Sequence, residues 1–344
     1  MPSTMHDVAR LAGVSIKTVS NVVNDYPHIR PETRQRVSAA IEELGYRPNL
    51  TARGLRSGRT GVISLIIPDL RNAYFAELAD AVMRAADAQG LSVIIEQSGA
   101  ERDREIGLLG GQRKQKVDGI LYSALALGED DAHILNDVDT PLVLLGERIF
   151  GGPTDHVTMR NTEGARAATA HLLEQGRSRI AVVGAHRGEV IGSAGLRLVG
   201  YREALAAAGI EYDDSLIGEV GGWYRSGGAE AMRRLLDSGA RFDGLVAFND
   251  SMALGAMRVM QEAGIRIPTD VAVIGYDDID ETRYTLPTLS TIDPGKDEIA
   301  EVAVRFLLER IADSAGGIAP REHLADFRLV VRESSAVPAA TPAA

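Results

Sequence analysis

A chain of 344 residues with 45% apolar content and no cysteine has material for one small and two medium cores. It excludes a disulfide framework, a thiolate nucleophile and cysteine-ligated zinc. Its net charge of −11 speaks against nucleic acid only if spread evenly, but residues 1–60 hold nine Lys/Arg against five Asp/Glu (+4) and the remainder 28 against 43 (−15), the asymmetry of a basic reader on an acidic body.

In chain order, the first pattern places Val8, Leu11 and Ala12 on one helical face, with Ala9 small where a second helix must approach. Gly13 can take the positive φ of a sharp inter-helix turn, and Ser15 reads as the N-cap of the next helix. There Val19, Val22 and Val23 point inward and turn Ile16, Lys17 and Asn21 outward. Lys17 and Asn21, one turn apart, can enter a major groove side by side. This is the build of a helix-turn-helix, with an ordinary helical hairpin as the plain alternative. Pro31 to Leu44 is a third helix with an inner stripe of Val37, Ala40, Ile41 and Leu44, ended by Gly45. Asn49 can cap a short helix over Leu50 to Arg56, with Pro48 fixing the entry. That helix is too short to stand alone, and Gly54 weakens it by roughly 0.5–1 kcal/mol relative to Ala. It is expected to be disordered off DNA and to fold on it; a flexible linker is the alternative.

From Gly61 onward, apolar runs of strand length recur at Val62–Ile67, Leu91–Glu96, Gly119–Tyr122, Leu142–Leu145, Ile180–Val183, Leu245–Phe248 and Val271–Ile274. Helical patterns lie between most of them: Phe75–Gln89, Thr162–Gln175, Gly195–Ala208, Gly227–Ser238 and Ser251–Ala263. Short apolar strands alternating with amphipathic helices predict parallel sheets covered on both faces, and the length calls for two lobes. Residues 335–344 include seven Ala or Pro and read as a disordered tail without apolar heptads. The N-terminus lacks an export stretch and no run approaches the ~20 apolar residues of a membrane span. A cytoplasmic, nucleoid-associated protein without a membrane partner is the expectation.

The run Val8-Ala9-Arg10-Leu11-Ala12-Gly13-Val14-Ser15-Ile16-Lys17-Thr18-Val19-Ser20-Asn21-Val22-Val23-Asn24, with Tyr46 to Thr60 and Gly61 to Pro68, resembles the lactose-repressor (LacI/GalR) family of transcription regulators. The resemblance runs to about Arg332. It implies an all-α helix-turn-helix headpiece (1–46), a hinge (47–60) and a two-lobed α/β effector domain (61–334) like the periplasmic binding proteins. It places the N-lobe at about 61–160 and 294–321, and the C-lobe at about 161–293 and 322–334. It implies a homodimer on double-stranded, pseudo-palindromic operator DNA. Base contacts fall on Ile16, Lys17 and Asn21, and phosphate contacts on Thr18, Asn24, Arg53 and Arg56, with Arg59 nearby. In the minor groove, Leu55 is the wedge that pries apart a base step, with Ala52 beside it.

The family's small-molecule effectors bind between the lobes at strand C-termini. Matching positions are Asn72, Tyr74, Phe75, Arg148, Arg197, Trp223, Asn249 and Asp277, where Arg197 corresponds to the arginine that grips the ligand in most relatives. An aromatic wall with Arg, Asn and Asp suits a polyhydroxylated ring, so a sugar is the first choice. Arg148 reads equally as a cleft residue or an ion-pair partner of Glu147, and Asp250 as a helix N-cap. Ile191 stands where the purine-responsive branch carries a second arginine, which argues against a nucleobase. Arg160 replaces an aspartate common at the lobe junction. No catalytic residue, cofactor or metal is expected: Gly184 to Gly188 is not a dinucleotide fingerprint, Gly54 to Thr60 lacks P-loop spacing, and no G-x-S-x-G or H-E-x-x-H occurs. A corepressor answering a nucleobase or phosphorylated metabolite, and a sugar receptor or enzyme on the same body, are the competing readings.

Overall fold

The computed structural model describes residues 3–23, 26–46, 59–110, 117–313 and 316–336. The chain divides into two compact units that meet between Gly61 and Val62.

The first unit holds α1 (Met5–Ala12), α2 (Ile16–Val23) and α3 (Pro31–Glu43). Thr4 opens α1 through a capping box: its hydroxyl accepts from the Asp7 amide, and the Asp7 carboxylate accepts from the Thr4 amide at 3.0 Å. Gly13 closes it at φ +63°, the left-handed value a side chain would resist. Ser15 caps α2, accepting from the Thr18 amide at 3.1 Å. The core joins Val8, Ala9 and Ala12 to Val19, Val22, Val37, Ala40 and Tyr46, with Val23, Ile41 and Leu44 partly buried against it. Leu11 does not join this core as the periodicity suggested; it is 47% exposed. The small Ala9, 6% exposed, lies in this core as expected of the position where the helices approach. Ile16 is also turned less outward than expected and packs partly on the core.

The second unit contains two parallel sheets. One is built from β1 (Val62–Ile67), β2 (Ser92–Gln97), β3 (Gly119–Ser123), β4 (Leu142–Leu145), β5 (Asp155–Met159) and β11 (Glu322–Ala325), in the order β11-β5-β4-β3-β1-β2. The other contains β6 (Ile180–Ala185), β7 (Ile217–Glu219), β8 (Gly244–Ala247) and β9 (Ala272–Ile274), in the order β7-β6-β8-β9. The helices are α4 (Ala73–Asp87), α5 (Arg102–Leu109), α6 (Asn161–Glu174), α7 (Ser193–Ala207), α8 (Arg225–Asp237), α9 (Asp250–Glu262) and α10 (Lys296–Ala312). Successive strand side chains serve opposite faces: Ile63, Leu65 and Ile67 join the main core, while Ile66 joins Ile120, Tyr122, Leu142 and Leu144 on the other face. Both faces being covered explains the nearly continuous apolar strands.

An antiparallel ribbon of β10 (Thr291–Asp293) and β12 (Arg328–Val330) completes the unit. It meets the second sheet where Ile274 bridges Ser290 and the Val273 amide donates to the Ser334 carbonyl at 2.8 Å. The chain crosses between lobes after β5, between β9 and α10, and after β11. Because β11 pairs with β5, with His323 opposite Val157, residues 322–325 belong to the N-lobe sheet, and the last crossing lies beyond Ala325, not at 321/322. The tail boundary also moves. Ser335 is fully buried, and its hydroxyl pairs with His171 at 2.9 Å and Ser290 at 2.7 Å. At the lobe junction Arg160 finds Asp326 at 3.3 Å. No helix among the described residues is long and apolar enough to cross a membrane.

Candidate effector cleft and nucleic-acid interface

In the first unit, α2 leaves Lys17 exposed, with Thr18 and Asn21 half-buried. The Gly13 turn and the Ser15 cap fix where this helix starts, and Val19 and Val22 fix its roll. Arg10 is exposed and pairs with Asp7 at 3.3 Å. Asn24, Ala52, Arg53, Leu55 and Arg56 lie outside the described residues.

In the second unit a cavity of about 340 Å³ opens at the C-terminal ends of the strands, between the two sheets, the position open α/β sheets favour. Seven of the eight expected cleft residues line it: Asn72, Tyr74, Phe75, Arg148, Arg197, Trp223 and Asp277. Asn72 caps α4, accepting from the Tyr74 amide at 3.2 Å, which sets Tyr74 and Phe75 edge-to-face at a 5.2 Å ring separation. Trp223 is held by its indole N–H donating to the Gly184 carbonyl at 3.0 Å.

Asn249, the eighth, is not among the lining residues. It is buried and caps α9, its Oδ1 accepting from the Met252 amide at 2.7 Å while its Nδ2 donates to the Trp223 carbonyl at 3.2 Å. It therefore acts behind the wall. The cap expected of Asp250 belongs to Asn249. Asp250 is instead fully buried, accepting from Thr291 at 2.7 Å and from the Ile279 amide at 3.1 Å.

Arg197 is 2% exposed. Its Nε donates to Asn161 at 2.7 Å, one terminal nitrogen donates to the Phe248 carbonyl, and the other lies 3.2 Å from the Met159 sulfur and 3.8 Å from Asp277. Tyr276 stacks 3.5 Å from the guanidinium and Trp223 lies at 5.1 Å. Each nitrogen thus already has a protein partner, so this arginine organises the wall as much as it faces the cleft. Asp277 and Asp278 both sit at positive φ, +114° and +47°, held by Lys296 donating to both carbonyls and by the Asp277 amide donating to Ile292 at 2.8 Å. Strain of this kind persists only where the surroundings over-determine it. Burial pushes the Asp277 carboxyl up to about 7 against the pull of Arg197 and Lys296, and Glu147 adds to the rise.

Beside the expected Arg148, further polar groups line the cavity that were not singled out as cleft residues. Glu147 follows β4, is 7% exposed and accepts from the Ser193 hydroxyl at 2.7 Å, while its Oε1 has no partner. Thr158 in β5 has an unpartnered hydroxyl, and Arg148 donates to the Ile191 carbonyl at 3.0 Å but leaves Nε unpartnered. No ion pair joins Arg148 to Glu147. His186 shares Nδ1 with Glu189 at 2.7 Å and leaves Nε2 unpartnered. Burial opposes the Glu189 charge, but His186 and nearby Arg148 outweigh it and hold the carboxyl below its ordinary range. At the rim, the Tyr224 hydroxyl donates to Asp69 at 2.7 Å. The signal that could have found Glu147 and His186 is their position just past predicted strand ends. Thr158 carried none, since β5 has no apolar run.

Residues 4–49 match the pattern of bacterial regulatory proteins of the lacI family, and residues 169–335 that of the periplasmic binding protein-like domain. The HTH-type transcriptional regulator CelR of Thermobifida fusca is 36% identical over 341 residues, covering 96% of this chain and 98% of that protein. A solved transcriptional regulator CelR–cellobiose complex is 34% identical with a TM-score of 0.70, over 97% of this chain and 100% of that one. The lac repressor dimer bound to operator and the anti-inducer ONPF is 29% identical with a TM-score of 0.81, over 98% and 100%. Headpiece, two-lobed body and these similarities agree that the chain belongs to the LacI family of DNA-binding transcriptional regulators.

Proposed function

We propose that this regulator is a repressor that binds a pseudo-palindromic operator as a homodimer and answers a sugar bound between its lobes. The observation that carries the effector half is the cavity itself: an aromatic wall of Tyr74, Phe75 and Trp223 faces buried polar atoms that have no protein partner. Unpartnered buried polar groups are costly, and a polyhydroxylated ring supplies donors, acceptors and a C–H face at once. The CelR–cellobiose complex supports a sugar by kinship.

Lys17 and Asn21 read bases beside Ile16, Thr18 anchors a phosphate, and the hinge Leu55 wedges the minor groove. The dimer reading is supported by the operator-bound dimer of the lac repressor and by apolar side chains left in solvent, Tyr284 at 79% and Leu286 at 85% exposure. Their turn is tied to α4 by the Asp280 amide donating to Glu77 at 2.7 Å. The protein acts where the chromosome is, in the cytoplasm, and leaves the bound sugar chemically unchanged. Closure of the cleft shifts the population between two lobe arrangements, so DNA and sugar alter each other's affinity by one factor.

Thermal unfolding against monosaccharides, disaccharides, sugar phosphates and purines tests the effector half. A ligand at 100-fold over its Kd adds about 2.7 kcal/mol. A sugar hit that also changes operator affinity supports the reading; turnover of the sugar, or silence across the panel, overturns the effector half.

A further inference from the structure

Eight Asp, Glu, Arg and His side chains line the cavity, and most are matched in place. Asp69 pairs with Arg71 at 2.7 Å, Glu189 with His186 at 2.7 Å beside Arg148, and Asp277 faces Arg197 at 3.8 Å. Glu147 is the exception. Among the described residues no cation lies within ion-pair distance of it, its one partner is the Ser193 hydroxyl, and its Oε1 is buried without a partner. The register of the sheet sets Leu145 opposite Val157, so Glu147 leaves β4 alongside the part of β5 that carries the unpartnered Thr158 hydroxyl. Across the cavity, His186 shares Nδ1 with Glu189 and leaves Nε2 as a second unpartnered buried atom. Arg148 Nε is the open donor.

Resting on the sugar reading above, we infer that the effector is an uncharged carbohydrate anchored by a hydroxyl donating to Glu147, and that this cleft rejects phosphorylated or carboxylated sugars. A neutral polyol gives a proton to Glu147 and an oxygen lone pair to Arg148. A phosphate or carboxylate at that end has no proton to give. It would leave the Glu147 oxygen unpartnered and set like charge against it, with Arg197 already facing Asp277 at 3.8 Å.

The test is titration calorimetry on the full-length chain with matched pairs: glucose and glucose 6-phosphate, ribose and ribose 5-phosphate, cellobiose and cellobionate, cellobiose and its 6-phosphate. The expected result is binding by a neutral member, with its anionic partner weaker by about 100-fold or more. An anionic member binding as tightly or more tightly overturns the inference and leaves a cleft effector standing. Silence from every pair overturns the inference together with the sugar reading. For the anchor, Glu147→Gln is expected to weaken the neutral sugar at least about tenfold and to narrow the gap to its anionic partner, with the melting temperature of the free protein nearly kept. Unchanged affinity and selectivity in that variant overturn the assignment of Glu147.

Discussion

At the residue scale, Asp277 and Arg197 show how binding capacity is held at a cost to the free protein. Burial raises the Asp277 carboxyl to about 7, so the folded chain holds this proton more tightly than an unfolded chain with an ordinary carboxyl near 4. Between about pH 4 and 7 the folded state therefore binds more protons, and this group's contribution to stability falls as pH rises, levelling above 7. Asp277→Asn is expected to remove that fall, making the free protein more stable than the parent at pH 8, while weakening sugar binding. Urea unfolding at pH 5 and pH 8 checks it; an identical pH profile in the two proteins would refute the raised carboxyl. Arg197→Ala abolishes the ligand response and also destabilises the body by about 3–5 kcal/mol, because it strips the partner from a buried carboxylate. The full-length variant should still bind operator at a temperature where it is folded. A variant that keeps both response and stability would remove Arg197 from the wall.

At the element scale, α5 acts as a pin. Its Glu105 is fully buried and accepts from Tyr122 at 2.6 Å and from the amides of Leu125, Ala126 and Leu127 at 2.9–3.2 Å. It thereby fixes the loop whose Ser123, Ala124 and Leu125 line the cleft. Glu105→Ala leaves these donors buried without an acceptor and should cost about 3 kcal/mol, seen as a lower urea midpoint at unchanged slope. A midpoint equal to the parent's would show that the loop is held otherwise. The five helices of the body read from the sequence each begin one or two residues before their apolar pattern, as with α4 at Ala73 against an expected Phe75 and α8 at Arg225 against Gly227, while α5 and α10 were not read at all. The first turn of a helix need not face the core, so apolar periodicity under-reads it. Likewise β10, β11 and β12 are three or four residues long and carry no run from which a strand could be read; distant partners make them strands.

At the scale of the whole effector unit, the cleft is spanned by contacts from both lobes. The Tyr224 hydroxyl, before α8, donates to Asp69, after β1, while Arg71 lies 5.2 Å from the Tyr224 ring. The Arg71 hydrogen bond, helped by Tyr224, holds the Asp69 carboxyl at about 2, so the acceptor stays charged at physiological pH. Ser193 to Glu147 and Arg148 to Ile191 span the same gap. If closure is what the ligand selects, Tyr224→Phe removes one closing bond worth about 1 kcal/mol and should weaken sugar binding about fivefold, leaving operator binding without sugar unchanged. Calorimetry and operator titration separate the two; unchanged sugar affinity would free this contact from any part in closure.

The sequence by itself determined the headpiece and the alternation of the body, because each is written locally, while resemblance to the family supplied the seven of eight expected cleft residues that line the cavity. A glycine at a turn, a serine before a helix and a residue just past an apolar strand need no distant partner to be read. Tertiary structure alone decided the rest. Leu11 stays outside the headpiece core that Val8, Ala9 and Ala12 enter. Asn249 turned from the cleft to cap α9 because a helix start needed an acceptor. Residues 322–325 joined the first lobe because β5 offered an open edge. The open carboxylate oxygen of Glu147 likewise emerges only once its neighbours in the folded cleft are known, a property of the assembled cleft that no local pattern encodes.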